Sequence, residues 1–112
     1  MTKKVLLICL LSILFLSFSS DLFALDADLG KSIFKNQCAG CHINGGNIIR
    51  RSKNLKISSL KKNGIDSPEA IAKIASQGIG IMDGYKEKLG DDGDKIVANW
   101  IWGQAQKAWI QE

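Results

Sequence analysis

The chain has 112 residues, of which 46% are apolar, with three cysteines, one histidine and a net charge of +4. That length allows a single domain. The basic excess is small and its residues are not interleaved with aromatics, which excludes a nucleic-acid binder.

The apolar fraction is inflated by the start of the sequence. Lys3 and Lys4 precede an apolar run from Val5 to Phe18, broken only by Ser12 and Ser17. A basic start, a short apolar centre and a small residue at the end make a secretory signal peptide. The run is shorter than the roughly 20 residues needed to span a bilayer. An uncleaved anchor extending to Leu25 is the alternative. Cleavage is expected after Ala24, with Ala27 as the second choice, giving a signal peptide over 1–24 and a mature domain over 25–112. Loss of Lys3, Lys4 and Asp21 takes the charge from +4 to +3.

Asp26 or Asp28 can cap a first helix that carries Leu29, Ile33 and Phe34 at helical spacing. Gly30 lies inside it. A glycine costs a helix interior about 0.5 to 1 kcal/mol relative to alanine, so its presence points to another backbone passing close by. The helix runs into Cys38-Ala39-Gly40-Cys41-His42. This Cys-x-x-Cys-His run reads as the attachment site of a c-type haem. Two cysteines three positions apart share one face of a helical turn and can reach both vinyl groups of one porphyrin, while the next histidine turns toward the iron. A redox dithiol calls for alternating strands and helices, and a structural zinc calls for four ligands where Cys38, Cys41 and His42 supply three.

From Ile43 to Lys56 there is no clean period, and Asn44-Gly45-Gly46-Asn47 at its head suits a loop wrapping one edge of a haem. Arg50, Arg51, Lys53, Lys56, Lys61 and Lys62 cluster here. They form either a solvated face or a surface that steers docking to an acidic partner. A short helix from Ser58 or Ser59 to Lys62 is ended by Asn63-Gly64. The next helix has Ser67 as N-cap, Pro68 at its first position, Glu69 at the positive end of its dipole, an apolar stripe of Ile71, Ile74 and Ala75, and Gly78 as its stop.

Gly78 to Tyr85 is irregular and holds three glycines around Met82. Asp91 and Asp92 can cap a last helix running to about Trp109, with Ile96, Val97, Trp100, Ile101, Ala105 and Ala108 on one face. That face is expected to pack on the first helix, crossing at Gly30 and Phe34. Trp100, Trp102 and Trp109 read as core and rim rather than an electron relay. The mature chain of about 88 residues builds only a small core by itself, and a buried haem enlarges it.

Scarcity names the sixth ligand. Cleavage removes Met1 and Cys9, leaving Cys38, Cys41, His42 and Met82 as the soft ligands of the mature chain. Two thioethers consume the thiols and His42 takes one axial position, so Met82 is the leading candidate for the other. The alternative for a lone methionine is a flexible filler of the core. A closed His and Met pair favours electron transfer over oxygen chemistry. A peroxidase or gas sensor would need a distal acid or base, which a chain without a second histidine does not offer, and so no enzyme is expected.

The chain resembles the class I c-type cytochromes, and within them the cytochrome c6 group (cytochrome c-553) of cyanobacteria and algae. The likeness rests on Gly30 and Phe34 before the haem motif, Gly45-Gly46-Asn47, Asn54-Leu55, then Gly78, Met82 and Tyr85, and a terminal segment from Val97 to Trp109. The resemblance implies an all-α fold of four to five helices around one covalently bound haem c, held by Cys38 and Cys41 with His42 and Met82 on the iron. It implies a soluble carrier of single electrons in photosynthesis, taking them from the cytochrome b6f complex and giving them to photosystem I. The compartment is a thylakoid lumen or a bacterial periplasm, with no stable membrane insertion after cleavage. Two positions depart from the family pattern. Asp83 follows the methionine where proline is usual, and Ile74 stands where a glutamine commonly lies over the haem. Both bear on potential and partner, and the alternatives are a low-potential c6-type paralogue, an electron donor to a terminal oxidase, or a domain tethered to a larger membrane enzyme.

Overall fold

The computed structural model describes residues 2–110, and their side chains except those of 15–21. Met1 and the side chains of the end of the apolar run, from Phe15 to Phe18, lie outside the described residues. The described part is mainly helical. Helix α1 spans Thr2–Ile33, α2 Ala39–His42, α3 Ile57–Lys62, α4 Pro68–Gln77, α5 Lys86–Leu89 and α6 Gly93–Gln106, and a two-strand hairpin pairs β1 (Gly78–Ile79) with β2 (Met82–Asp83).

Asp26 and Asp28 do not start the first helix, because α1 continues unbroken through them from the basic leader. Among its described side chains the leader turns no apolar face inward: Val5, Leu10 and Phe23 are all more than half exposed. Among the described residues Gly30 is the first that is buried. A Cβ built there would stand 2.6 Å from Trp100 Cβ and 3.0 Å from the Ile96 carbonyl oxygen, so α1 and α6 cross in contact at the expected glycine. Phe34 follows on the same face, 5% exposed, its ring 4.9 Å from that of Trp100.

Between α1 and α2 the chain makes one wider turn. Phe34–Cys38 is π-helical, with the Ala39 N–H donating to the Phe34 carbonyl. Such a turn inserts one extra residue into a helix and recurs at functional sites. Here it ends on Cys38.

Helix α4 is built as its sequence dictates. Ser67 Oγ accepts the Ala70 N–H at 3.2 Å, Pro68 opens the helix, and Gly78 closes it at φ 78°. Ile71, Ala72 and Ala75 form its buried face, while Ile74 is only half-buried. The core joins Ile71 and Ala72 to Leu60, Val97, Ala98, Ile101, Ala105, Phe34 and Trp109. Helix α6 makes the two most extensive helix contacts, with α4 and with α1.

Three local expectations need correction. Asp92 stands at the start of α6 with φ 59° and no capping side-chain bond; its carboxylate instead meets Lys95 Nζ at 3.6 Å on the open surface. Helix α6 stops at Gln106 rather than near Trp109, and Ala108, expected on its buried face, is exposed. The stretch around Met82 is less irregular than its glycines suggest, since Ile79 and Met82 face each other across the hairpin.

Candidate haem site

Cys38, Cys41 and His42 fall within one turn and a half at the π-to-α junction. Cys38 is half-buried and Cys41 exposed. Burial pushes the Cys38 thiol up to about 11, since a thiolate loses its hydration there. Among the described residues no three His, Cys, Asp or Glu side chains are grouped so as to hold a metal ion among themselves.

His42 is oriented by the loop that follows it. Its Nδ1 lies 2.8 Å from the Gly46 carbonyl oxygen, an acceptor only, so Nδ1 carries the proton and Nε2 keeps its lone pair free for a metal. The loop turns back sharply enough because Asn44 and Gly45 both take positive φ, 51° and 76°. Asparagines hold the rest. Asn47 Oδ1 accepts the Ile49 and Arg50 N–H groups, and its Nδ2 donates to the Lys53 carbonyl. Asn54 Oδ1 accepts the Lys56 N–H, and Asn63 Nδ2 donates to the carbonyls of Ser52 and Ser59. An open groove of about 440 Å³ runs beside Gly46, lined by Ile43, Ile48, Asn47, Asn54 and the cations Arg51 and Lys56.

Met82 lies on a separate element, half-buried in β2. Its arm is pressed onto the end of α4. A Cβ on Gly78 would come within 2.5 Å of the Met82 carbonyl oxygen, one on Gly84 within 2.5 Å of the Ser76 carbonyl oxygen, and the Tyr85 N–H donates to the Ala75 carbonyl at 2.8 Å. Glycine is required at both positions because side chains would part the hairpin from the helix. The residues flanking both ligand candidates are apolar and open: Ile43, Ile48 and Ile49 on one segment, Ile79 and Ile81 on the other, each at least 60% exposed. Two thiols, an imidazole with a free Nε2 and a thioether, set among exposed isoleucines, fit a covalently bound porphyrin and its iron.

The sequence reading missed two contributors. The Gly46 carbonyl gives no signal, being backbone. Trp109 was placed in the core or at its rim without a partner, yet its indole Nε1 donates to the Leu55 carbonyl at 3.0 Å.

The chain is similar to proteins of one known family. The family model described as cytochrome c oxidase, cbb3-type, subunit III matches residues 25–101. A cytochrome c6-like protein of Nostoc sp. (strain PCC 7120) is 50% identical over 80 residues, covering 71% of this chain and 72% of that one. Cytochrome c6 of Synechocystis sp. (strain PCC 6803) is 43% identical over 94 residues, 82% of this chain and 78% of that one. Among solved structures, cytochrome c6B of Synechococcus sp. WH8102 superposes with a TM-score of 0.73 at 61% identity, covering 75% of this chain and 96% of that chain. Oxidized cytochrome c6A of Arabidopsis thaliana gives a TM-score of 0.74 at 33% identity, covering 79% and 98%. A shared fold and relatives 43% to 61% identical lead to one assignment: the chain belongs to the cytochrome c6 kind of class I c-type cytochromes, electron carriers with a covalently bound c-type haem.

Proposed function

We propose that Cys38 and Cys41 form the two thioethers, that His42 and Met82 are the axial ligands, and that the chain from residue 25 onward is a soluble single-electron carrier. The observation that carries this reading is the His42 Nδ1 to Gly46 carbonyl bond, which leaves Nε2 as the coordinating nitrogen. The bound haem supplies a one-electron ferric/ferrous couple. With His42 and Met82 holding it, electron exchange would need little movement, and the exposed Ile43, Ile48, Ile79 and Ile81 would offer apolar surface to the porphyrin. Arg51 and Lys56 beside the groove provide positive charge for anionic groups of the porphyrin. The family match begins at residue 25, which supports cleavage after Ala24. Among the described residues no helix is long and apolar enough to cross a membrane.

The partners we propose are the cytochrome b6f complex as donor and photosystem I as acceptor, in a thylakoid lumen or bacterial periplasm. The surface supports docking to an acidic protein. No acidic residue occurs between Asp28 and Asp66, while Lys31, Lys35, Arg50, Arg51, Lys53, Lys56, Lys61 and Lys62 are all exposed. A second reading has its own observation. Asp83, exposed and directly after Met82, puts a carboxylate where it favours ferric iron, and the aliphatic Ile74 offers no hydrogen bond. Both features fit a low-potential c6-type carrier or a donor to a terminal oxidase.

Replacing Met82 by alanine tests the ligand set. The unmutated ferric protein should show the weak far-red charge-transfer band of a sulfur-to-iron bond; Met82→Ala should abolish it, lower the potential and let ferrous iron bind carbon monoxide. A missing band, or ready carbon monoxide binding, in the unmutated protein would remove Met82 from the iron. Spectroelectrochemical titration separates the two functional readings, since a potential too low to reduce photosystem I leaves only the second.

A further inference from the structure

We propose that Trp109 is a positioning residue for His42, locking the loop that orients the imidazole to the far end of the chain. This rests on His42 being the iron ligand, as argued above. The lock is a short series of contacts. Trp109 is 7% exposed, and its Nε1 donates to the Leu55 carbonyl at 3.0 Å. The Leu55 N–H in turn donates to the Gly45 carbonyl at 2.7 Å. Gly45 lies directly under the indole, where a built Cβ would come within 2.3 Å of Cε2 and 2.4 Å of Cδ2. The next residue, Gly46, bears the carbonyl that holds Nδ1 of His42. Trp109 therefore grips both ends of the segment from Gly45 to Leu55, and that segment's first turn fixes the imidazole.

The backbone is bent to deliver this ring. After α6 the Ala108 N–H bonds the Ala105 carbonyl and the Trp109 N–H bonds the Gln104 carbonyl at 2.9 Å, a helix-ending pattern whose left-handed position normally falls to glycine. Alanine occupies it, with φ 55°, and Trp109 follows with φ 59°. Two non-glycine residues in this region persist only when surrounding contacts hold them. Those contacts are Phe34 and Trp100, whose rings lie 5.3 and 5.8 Å from the Trp109 ring, together with Gly45 and Leu55. Phe34 also opens the π turn that ends on Cys38, so the same aromatic group braces the attachment turn from behind.

The test compares hydrogen exchange at three positions of the haem-bearing protein by NMR in its reduced, diamagnetic state. They are the His42 ring N–H, the Leu55 amide and the Tyr85 amide, the last reporting on the Met82 arm. In Trp109→Ala the first two should exchange more than about tenfold faster while Tyr85 is unchanged, because the loop opens without the whole domain opening. Trp109→Phe keeps an aromatic ring and loses only the Nε1 bond, so roughly a fivefold acceleration at Leu55 is expected. If the alanine variant does not fold, the phenylalanine variant decides. Equal acceleration at Tyr85, or none at Leu55, overturns the proposal and leaves Trp109 an ordinary core residue. A His42 ring proton without the large ring-current shift of an iron-bound imidazole would refute the ligation, while the comparison of Leu55 with Tyr85 would still report on the lock.

Discussion

Substituting alanine at Gly30 and at Gly103 should have opposite effects on stability, although both glycines lie within long helices. Each exchange removes backbone freedom from the unfolded chain, and inside a helix that is worth about 0.5 to 1 kcal/mol in favour of alanine. At Gly103 nothing lies within 4 Å of the added methyl, so the gain stands alone. At Gly30 the methyl meets Trp100 Cβ at 2.6 Å and the Ile96 carbonyl oxygen at 3.0 Å. Neither atom is the free end of a flexible side chain, and both are fixed to α6. The helices must separate, and overpacking of this kind costs about 1 to 3 kcal/mol. Separation also loosens the Phe34–Trp100 ring contact, which adds about 0.5 to 1.5 kcal/mol. The net loss for Gly30→Ala is about 0.5 to 4 kcal/mol, against a gain of up to about 1 kcal/mol for Gly103→Ala. In a domain of this size each kcal/mol moves the melting temperature by roughly 4 to 8 °C. Urea unfolding of the haem-bearing proteins, followed by far-UV circular dichroism, resolves both signs. A Gly30→Ala protein as stable as the unmutated one would show that α1 and α6 do not touch there.

In the haem-free protein at pH 8, alkylation of Cys38 should be about a hundredfold slower than in the urea-unfolded chain, because a thiol raised from 9.0 to about 11 holds far less thiolate. The sign for stability follows. The raised value favours the folded state below pH 9 and that contribution fades as pH climbs toward 11, so equal alkylation rates would contradict the burial of Cys38. Electron transfer from an acidic partner should slow as salt rises from low to physiological ionic strength, the Debye length shrinking to about 8 Å, and Lys53→Glu should weaken that dependence. A rate indifferent to salt would make the basic stretch a solvated face only.

The candidate site is legible in the residues as far as its chemistry is local and its proposed ligands are scarce. The cysteines and histidine lie in five consecutive positions, and Met82 is the one methionine beyond the leader. Helix α4 was equally legible, since Ser67, Pro68 and Gly78 act on their own turn. What escaped depends on distant partners or on elements too short for a period. The hairpin has two residues per strand, and the π turn is a single turn that tertiary packing selects over an α-turn. Asp92 looks like a cap from its neighbours alone, but with its left-handed backbone its side chain makes no capping bond to the helix backbone. The docking of Trp109 on Leu55 spans 54 positions and reverses the expectation that α6 continues to it.

The two proposed ligands are held by different means, and this bears on how little the site moves in use. Met82 is fixed to α4 by close backbone contacts at Gly78, Gly84 and Tyr85, all within ten residues of the helix end. His42 is fixed to the end of α6 through Gly45, Leu55 and Trp109. The relation between the two arms is therefore set by the packing of α4 on α6, where Ile71 and Ala72 join a core with Val97, Ala98 and Ile101. Small residues dominate that surface, and Val97 and Ala98 are wholly buried, which leaves the helices little slack. A carrier would gain from this arrangement, because iron held by the two proposed ligands on arms braced on one rigid helix pair could change charge with little rearrangement. Ala98→Val should strain that packing, costing about 1 to 3 kcal/mol of stability. It should also weaken the far-red band before the domain unfolds, since spreading α4 from α6 draws the Met82 arm away from His42. Loss of the band only in step with global unfolding would show that the two arms are braced independently of the helix pair.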